Sequence, residues 1–393
     1  MPTRRAFLGV VPALAAAAGL PRWSFAADGA FDPWVEVHAA HLRFNVEQVS
    51  RRAGGRPILA VVKNNGYGLG VENAGRLLEP MAQVSGLAVV KLKEAVALRD
   101  AGVKKPVLLL GPLEERELEE AIGRHVQPMV YTPLGDGLER VAKKLGRPVG
   151  IQICVDTGIG RVGVPFRSAA PLVEDLARRP GVRIDGILMT FSEDAEFDRE
   201  QLARFLELTG RLAAAGLKLG PRHAASSFAL FLHPDSFLDQ VRPGMALVGI
   251  YSEARFRGTG VLDLLPAVAL RCRVAYVKKL PAGDSAGYER AYRAKQDVYV
   301  ATLPVGHADG LPRAAAKGGR VRIGERLYPV VASVSASHTI VEIGAEPSVA
   351  IGDLATLFDW REGSRPEDLA ASCGASVYDL AMHLNPLLPR RLV

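Results

Sequence analysis

The stretch "LAVVKNNGYGLG" (residues 59–70) decides how this chain is read. Four apolar residues run directly into Lys63, and two asparagines and three glycines in five positions follow. A short, continuous Val/Leu run suits a strand buried on both faces, and such a strand would carry an ammonium to its end. A lysine there has two readings. Either it points into water, or it stands beside a dry pocket. In a dry pocket, desolvation lowers the amine's pKa and makes it a nucleophile toward a carbonyl. The glycines after it would let backbone approach whatever the amine holds.

Working outward, the same kind of run recurs: "ILAVV" (58–62), "SGLAVV" (85–90), "PVLLLG" (106–111), "VQPMVY" (126–131), "VGIQICV" (149–155), "VRIDGILMTF" (182–191), "PRHAAS" (221–226) and "VRPGMALVGI" (241–250). Between the runs lie segments such as "EERELEEAIGRH" and "FDREQLARFLELTGRLAAAG", whose apolar residues recur at helical spacing. Eight strand–helix units predict an α/β fold, a closed (β/α)8 TIM-type barrel over residues 27–262. A doubly wound open sheet is the alternative, because strand number alone does not show closure. From 263 the pattern changes to "ALRCRVAYVKKL", "DVYVATLPVG", "RVRIGERLYPVVASVS" and "HTIVEIG", strand-like runs cut by Gly, Pro and Asp turns. These predict a β-rich domain over 263–393, with helical patterning returning near 366–384. "WVEVHA" (34–39) also reads as a strand, and pairing with that second domain is one arrangement open to it.

Composition bounds the rest. The chain has 393 residues, 48% hydrophobic and 23% charged, and carries +7. Three of its arginines (Arg4, Arg5, Arg22) fall in the first 26 residues, which hold no acid. The remaining excess is mild and spread along the chain, so no nucleic-acid partner is read from it. Residues 1–26 read as an export leader. "TRRAFLG" resembles a twin-arginine signal, "VVPALAAAAGL" is a soft apolar core, and "SFA" (24–26) suits cleavage before Ala27. An ordinary secretory leader is the alternative, and the expected location is periplasmic without a membrane anchor. Only Cys154, Cys272 and Cys373 occur, too few for a disulfide framework. One pairing among them stays open, and no metal site is read.

The motif around Lys63 resembles the cofactor-lysine motif of alanine racemases and their fold-type III relatives. "VDTGIGRVGV" (155–164), "HAASS" (223–227), "VRPGMALVG" (241–249), "GYERAYRA" (287–294), "PVGHADGLPR" (304–313) and "LNPLLPR" (384–390) follow in family order. With the leader, "LPAGDSAGYERAY" is most similar to exported broad-specificity amino-acid racemases. The resemblance implies pyridoxal 5′-phosphate, an amino-acid substrate and a head-to-tail homodimer with shared active sites. Residue by residue, it implies that Lys63 holds the cofactor and acts as base on the D-enantiomer. Tyr288, reaching in from the second copy, is then the base for the L-enantiomer. It implies that Arg242 faces the pyridine nitrogen. Tyr67, Ser227, Tyr378 and the backbone of Gly244 and Met245 cradle the phosphate. Arg161 and the Ala336–Ser337 segment face the substrate.

Several positions depart from the family pattern. "MTFSE" (189–193) stands where a cofactor-stacking histidine is usual, leaving Thr190 or Phe191 in its place. Cys154 replaces a carbamylated lysine that would orient Arg161, and His307 replaces an entrance tyrosine. The departures imply altered or broader specificity. Two other readings stay open: a lyase or decarboxylase on the same scaffold, and a non-catalytic cofactor-binding protein.

Overall fold

Seven parallel strands lie side by side in chain order in the N-terminal half of the computed structural model, which describes residues 31–393. They are Ile58–Val61, Val84–Val89, Val107–Leu109, Val126–Val130, Val149–Asp156, Val182–Leu188 and Arg222–His223. The expected leader lies outside the described residues. The eighth run behaves differently from its expectation as a strand. Only Val241 bridges, in parallel, to Ile58. That short segment nevertheless closes the barrel. Leu59 N–H donates to Val241 O at 2.9 Å, and Val61 N–H donates to Pro243 O at 2.9 Å. On the other side, Arg242 N–H donates to Ala225 O at 2.8 Å. The strand stops because Pro243 has no N–H to continue a ladder. Residues 244–250 then coil into turns, with Leu247 N–H on Gly244 O and Ile250 N–H on Met245 O. Met245, Ala246, Leu247 and Val248 are all buried, so the run is apolar because it plugs the core. Periodicity cannot separate such a plug from a buried strand.

The barrel strands are nearly all Val, Ile, Leu and Ala, as burial on both faces demands. Helices such as Phe197–Ala214 cover them, with Phe205, Leu208 and Leu212 turned inward. Each such side chain stabilises the fold by about 1.5–3 kcal/mol relative to exposure.

The second half forms a nine-stranded sheet. At one end of it, Trp34–Val37 pairs antiparallel with Val268–Arg273 and parallel with Arg390–Leu392. From Trp34 on, the chain therefore runs first in the β-rich sheet, crosses into the barrel and returns. A separate hairpin, Ser285–Ala286 with Tyr292–Arg293, carries Tyr288 on its turn. Pro366–Cys373 and Val377–Met382 are the helices expected near 366–384. Cys154, Cys272 and Cys373 are all free and buried. No helix among the described residues is long and apolar enough to cross a membrane.

Candidate active site

Lys63 is delivered by a left-handed turn. Straight after the strand Ile58–Val61, Asn64, Asn65, Gly66 and Tyr67 have φ of 52°, 59°, 65° and 51°. Asparagine and glycine tolerate this region best, which explains the residues after the lysine. Two side chains hold the turn. Asn65 Oδ1 accepts from Val71 N–H at 3.1 Å, and Glu94 Oε1 accepts from Asn65 N–H at 3.0 Å. Glu94 Oε2 also takes the N–H of Val90 and Lys91, tying the next strand's end to the same carboxylate.

Lys63 lines a cavity of about 680 Å³ together with Tyr67, Arg161, Ser227, Arg242, Gly244, Met245 and Tyr378. It is half-buried. Burial, reinforced by the charges of Arg161 and Arg242, pulls its pKa below the usual lysine value. The shift favours the nucleophilic free amine, and it supports the dry-pocket reading of the strand end.

Arg242 is buried at the cavity's inner wall. Its Nη2 donates to Met189 O at 2.9 Å and Thr190 Oγ1 at 3.3 Å. Its Nη1 donates to His223 Nδ1 at 2.8 Å. Accepting there fixes the histidine's tautomer, so His223 Nε2–H donates to Gln152 Oε1 at 2.8 Å. Gln152 Nε2 donates to Gln127 Oε1, and Gln127 Nε2 donates to Asp185 Oδ2 at 2.8 Å. Every bond runs in one direction, from guanidinium to carboxylate. Complete burial and the Arg242 charge hold His223 well below the usual histidine pKa, hence neutral. Burial also lowers Arg242 to about 10, which leaves it charged at neutral pH.

Ser227, Gly244, Tyr67 and Tyr378 line the same cavity. Ser227 Oγ accepts from Gly244 N–H at 3.0 Å and Ala246 N–H at 3.1 Å, leaving its own proton to donate. A Cβ on Gly244 would stand 2.6 Å from Tyr67 Oη, so glycine is what lets backbone meet the ring. Ser226 Oγ is buried in the wall without a protein partner, which a ligand oxygen would satisfy. Burial raises the Tyr67 hydroxyl, and raises Tyr378 to about 12, keeping both as neutral donors. These hydroxyls, with a reactive amine and a cation deeper in, fit pyridoxal 5′-phosphate.

Arg161 has no hydrogen-bonded partner among the described residues, which suits a guanidinium awaiting a carboxylate. Cys154 cannot orient it as a carbamate would. The buried thiol is pushed up to about 11 and stays neutral, with Sγ 3.7 Å from Val162 O. The departing loop 190–194 has its own support. Asp198 Oδ1 takes Ser192 Oγ–H and Glu193 N–H, and Gln201 Oε1 takes Ser192 N–H at 2.8 Å. Thr190 and Phe191 both line the cavity. Phe191 is buried against the His233 ring, with centroids 5.4 Å apart, while Thr190 bonds Arg242.

Three of the predicted site residues do not line this cavity, nor does His307. Tyr288 is 74% exposed on its hairpin turn, and Ala336 and Ser337 lie on an exposed loop of the β-rich domain. The loops carrying them adjoin. A Cβ on Gly287 would meet Ala332 at 2.6 Å, and Ala308 N–H donates to Ala336 O at 3.0 Å. Sequence reasoning had no role for Glu94, Gln127, Gln152 or Glu193, and left His223 as one letter of a motif. Their partners are 19 or more residues away, except for Glu94's bonds to Val90 and Lys91 and Glu193's to Asp198. Only the apolar-run interruptions at Gln127 and Gln152 could have signalled the chain.

The fold and the site define a class: an enzyme with a reactive lysine at the mouth of a parallel barrel, followed by a β-rich domain, and built for pyridoxal phosphate. The comparisons with known proteins narrow it. The family model for the alanine racemase N-terminal domain matches residues 37–252, and that for the C-terminal domain matches 267–392. The alanine racemase of Desulforamulus reducens is 32% identical over 365 residues, covering 91% of this chain and 98% of that protein. That of Symbiobacterium thermophilum is 33% identical, covering 92% and 97%. Among solved structures, the Streptomyces coelicolor alanine racemase superposes with a TM-score of 0.85 at 27% identity, over 94% of this chain and all of that one. The Clostridium difficile enzyme gives 0.85 at 25%, over 92% and 95%. The chain belongs to the alanine racemase family, whose members are isomerases dependent on pyridoxal 5′-phosphate.

Proposed function

We propose that this protein racemises alanine and amino acids with larger side chains, by two bases on opposite faces. The observation that carries racemisation is the single cavity joining a pKa-lowered Lys63, the Arg242 chain and the free Arg161. Arg161 binds the substrate carboxylate. Bound pyridoxal phosphate would withdraw electrons from the substrate's α-carbon, loosening its proton. Arg242 keeps its own proton, and if the cofactor's ring nitrogen faces it, as the resemblance implies, it would limit that withdrawal and disfavour side reactions. Lys63 Nζ takes or returns the α-proton on one face.

Tyr288 does so on the other face, supplied by a second copy of the chain. Its exposure, and the adjoining loop with Ala336 and Ser337, support a shared site in a homodimer. Glu193 supports broader specificity, being the only carboxylate lining the cavity among the described residues. Its side chain is exposed at the cavity's edge, and partial desolvation there, with the charges of Asp198 and Glu253, raises its pKa, so a cationic side chain would be welcome beside it.

The test is incubation with single L-amino acids in deuterated water, read by chiral chromatography and mass. Exchange with loss of chirality is expected, for lysine and arginine as well as alanine. Glu193→Gln should lose the basic substrates by about 10-fold or more while keeping alanine, as expected for one charge-assisted contact. Equal loss for all substrates would remove Glu193 from specificity. A keto acid or amine product would make the protein a lyase or decarboxylase, and no reaction would make it a binder.

The proposal includes export in folded form, supported by the Arg4–Arg5 pair ahead of an apolar stretch. Arg4→Lys with Arg5→Lys should hold the precursor in the cytoplasm. Normal periplasmic yield of that variant would point to ordinary secretion.

A further inference from the structure

At the opposite end of the barrel from Lys63, the strand starts surround a second cavity of about 270 Å³. Arg99, Lys104, His125, Arg147 and Arg183 line it, and no carboxylate does among the described residues. The nearby acids are committed elsewhere. Asp185 chelates Arg183 through Nε at 2.5 Å and Nη2 at 2.7 Å and accepts from Gln127. Glu79 accepts the N–H of Lys104 and Lys105. Asp100 pairs with Arg124.

Arg99 is held in an unusual way. Its four hydrogen bonds all go to backbone carbonyls, those of Arg124, Val103, Lys105 and His125, at 2.6–3.1 Å. Carbonyls fix the guanidinium without neutralising it, and burial lowers its pKa. Arg147 donates to Ile122 O and His125 Nδ1, which leaves His125 Nε2–H free to donate. Arg99, Lys104 and Arg147 form no ion pair among the described residues. Like charges around one hollow repel one another, and of the five lining basic groups only Arg183 is held in a direct ion pair among the described residues, by Asp185, so a bound anion would relieve the repulsion among the rest.

We propose that this cavity binds a small free oxyanion of the phosphate class. Its volume lies just below the range of organic-ligand pockets, which favours a bare ion over an ester. The donors, guanidinium and ammonium groups around one hollow, are those that hold oxyanions through charge-assisted bonds. Gln127 lines the same cavity and belongs to the hydrogen-bond chain that reaches Arg242.

The test is calorimetric titration of the holoenzyme with inorganic phosphate at constant ionic strength, so that the cofactor already fills its own site. One phosphate per chain is expected. Lys104→Glu with Arg147→Glu, both on exposed side chains, should weaken binding at least about 10-fold. Lys295→Glu with Lys317→Glu changes the net charge equally at distant exposed positions and should leave binding intact. Three results would overturn the proposal: no saturable heat, equal affinity in the Lys104/Arg147 variant, or equal loss in the distant control. A monoester such as glycerol phosphate binding more tightly than the ion would overturn the free-ion assignment.

Discussion

Lys63→Ala is expected to lose the visible absorbance of the purified holoprotein and its activity together. The amine is the sole lysine lining the cavity among the described residues. Without it no covalent link to the cofactor aldehyde forms, and one of the two bases is gone. Loss of a general base alone costs about 10²–10⁴-fold, and loss of the covalent anchor adds to it. Folding should survive, because Lys63 is only half-buried and the turn is held by Asn65 and Glu94. An external amine should restore part of the visible band. pH gives a second readout. An amine attacks a carbonyl only when unprotonated, and burial with Arg161 and Arg242 lowers Lys63. Cofactor capture by the apoprotein should therefore persist to lower pH than capture by free lysine. An unchanged spectrum in Lys63→Ala would remove this residue as the cofactor lysine.

Tyr288→Phe should divide the reaction by enantiomer. The substitution removes one hydroxyl from a side chain that is 74% exposed within the chain, so stability should change little. If a second copy brings this hydroxyl to the face opposite Lys63, proton removal from the L-substrate loses its base. A loss of about 10²–10⁴-fold is expected there. The D-substrate should still exchange its α-hydrogen through Lys63, with almost no L-product. Deuterium wash-in from each pure enantiomer separates the two halves. Equal slowing from both enantiomers, or from neither, would refute the two-base mechanism for this chain. Dilution offers an independent check, since a demonstrated monomer with full turnover would show that no second copy contributes.

The sequence by itself determined the repeated strand–helix half and the β-rich domain, because both rest on local signals, while closure of the sheet into a barrel was left open. Continuous apolar runs mark strands buried on both faces, and amphipathic segments between them mark the covering helices. The Lys63 motif was legible for the same reason. Strand, lysine and left-handed turn are adjacent in the chain, and Asn-Asn-Gly encodes the turn directly. The family resemblance also implied Tyr67, Arg161, Ser227, Arg242 and Tyr378, which one cavity does bring together.

Tertiary structure alone decided what these groups do to one another. The run at 241–250 closes the barrel with a single bridge and then plugs the core, since Pro243 ends the ladder and burial looks alike in either form. The direction of hydrogen bonding from Arg242 through His223, Gln152 and Gln127 to Asp185 depends on side chains from four strands and the closing segment at Val241 meeting inside the barrel. So does the charge balance at the far mouth, where five basic side chains from separate segments converge and the nearby acids bind other partners. Such couplings fall off within a few ångströms, while their partners stand tens of residues apart. Chain order carries no record of them.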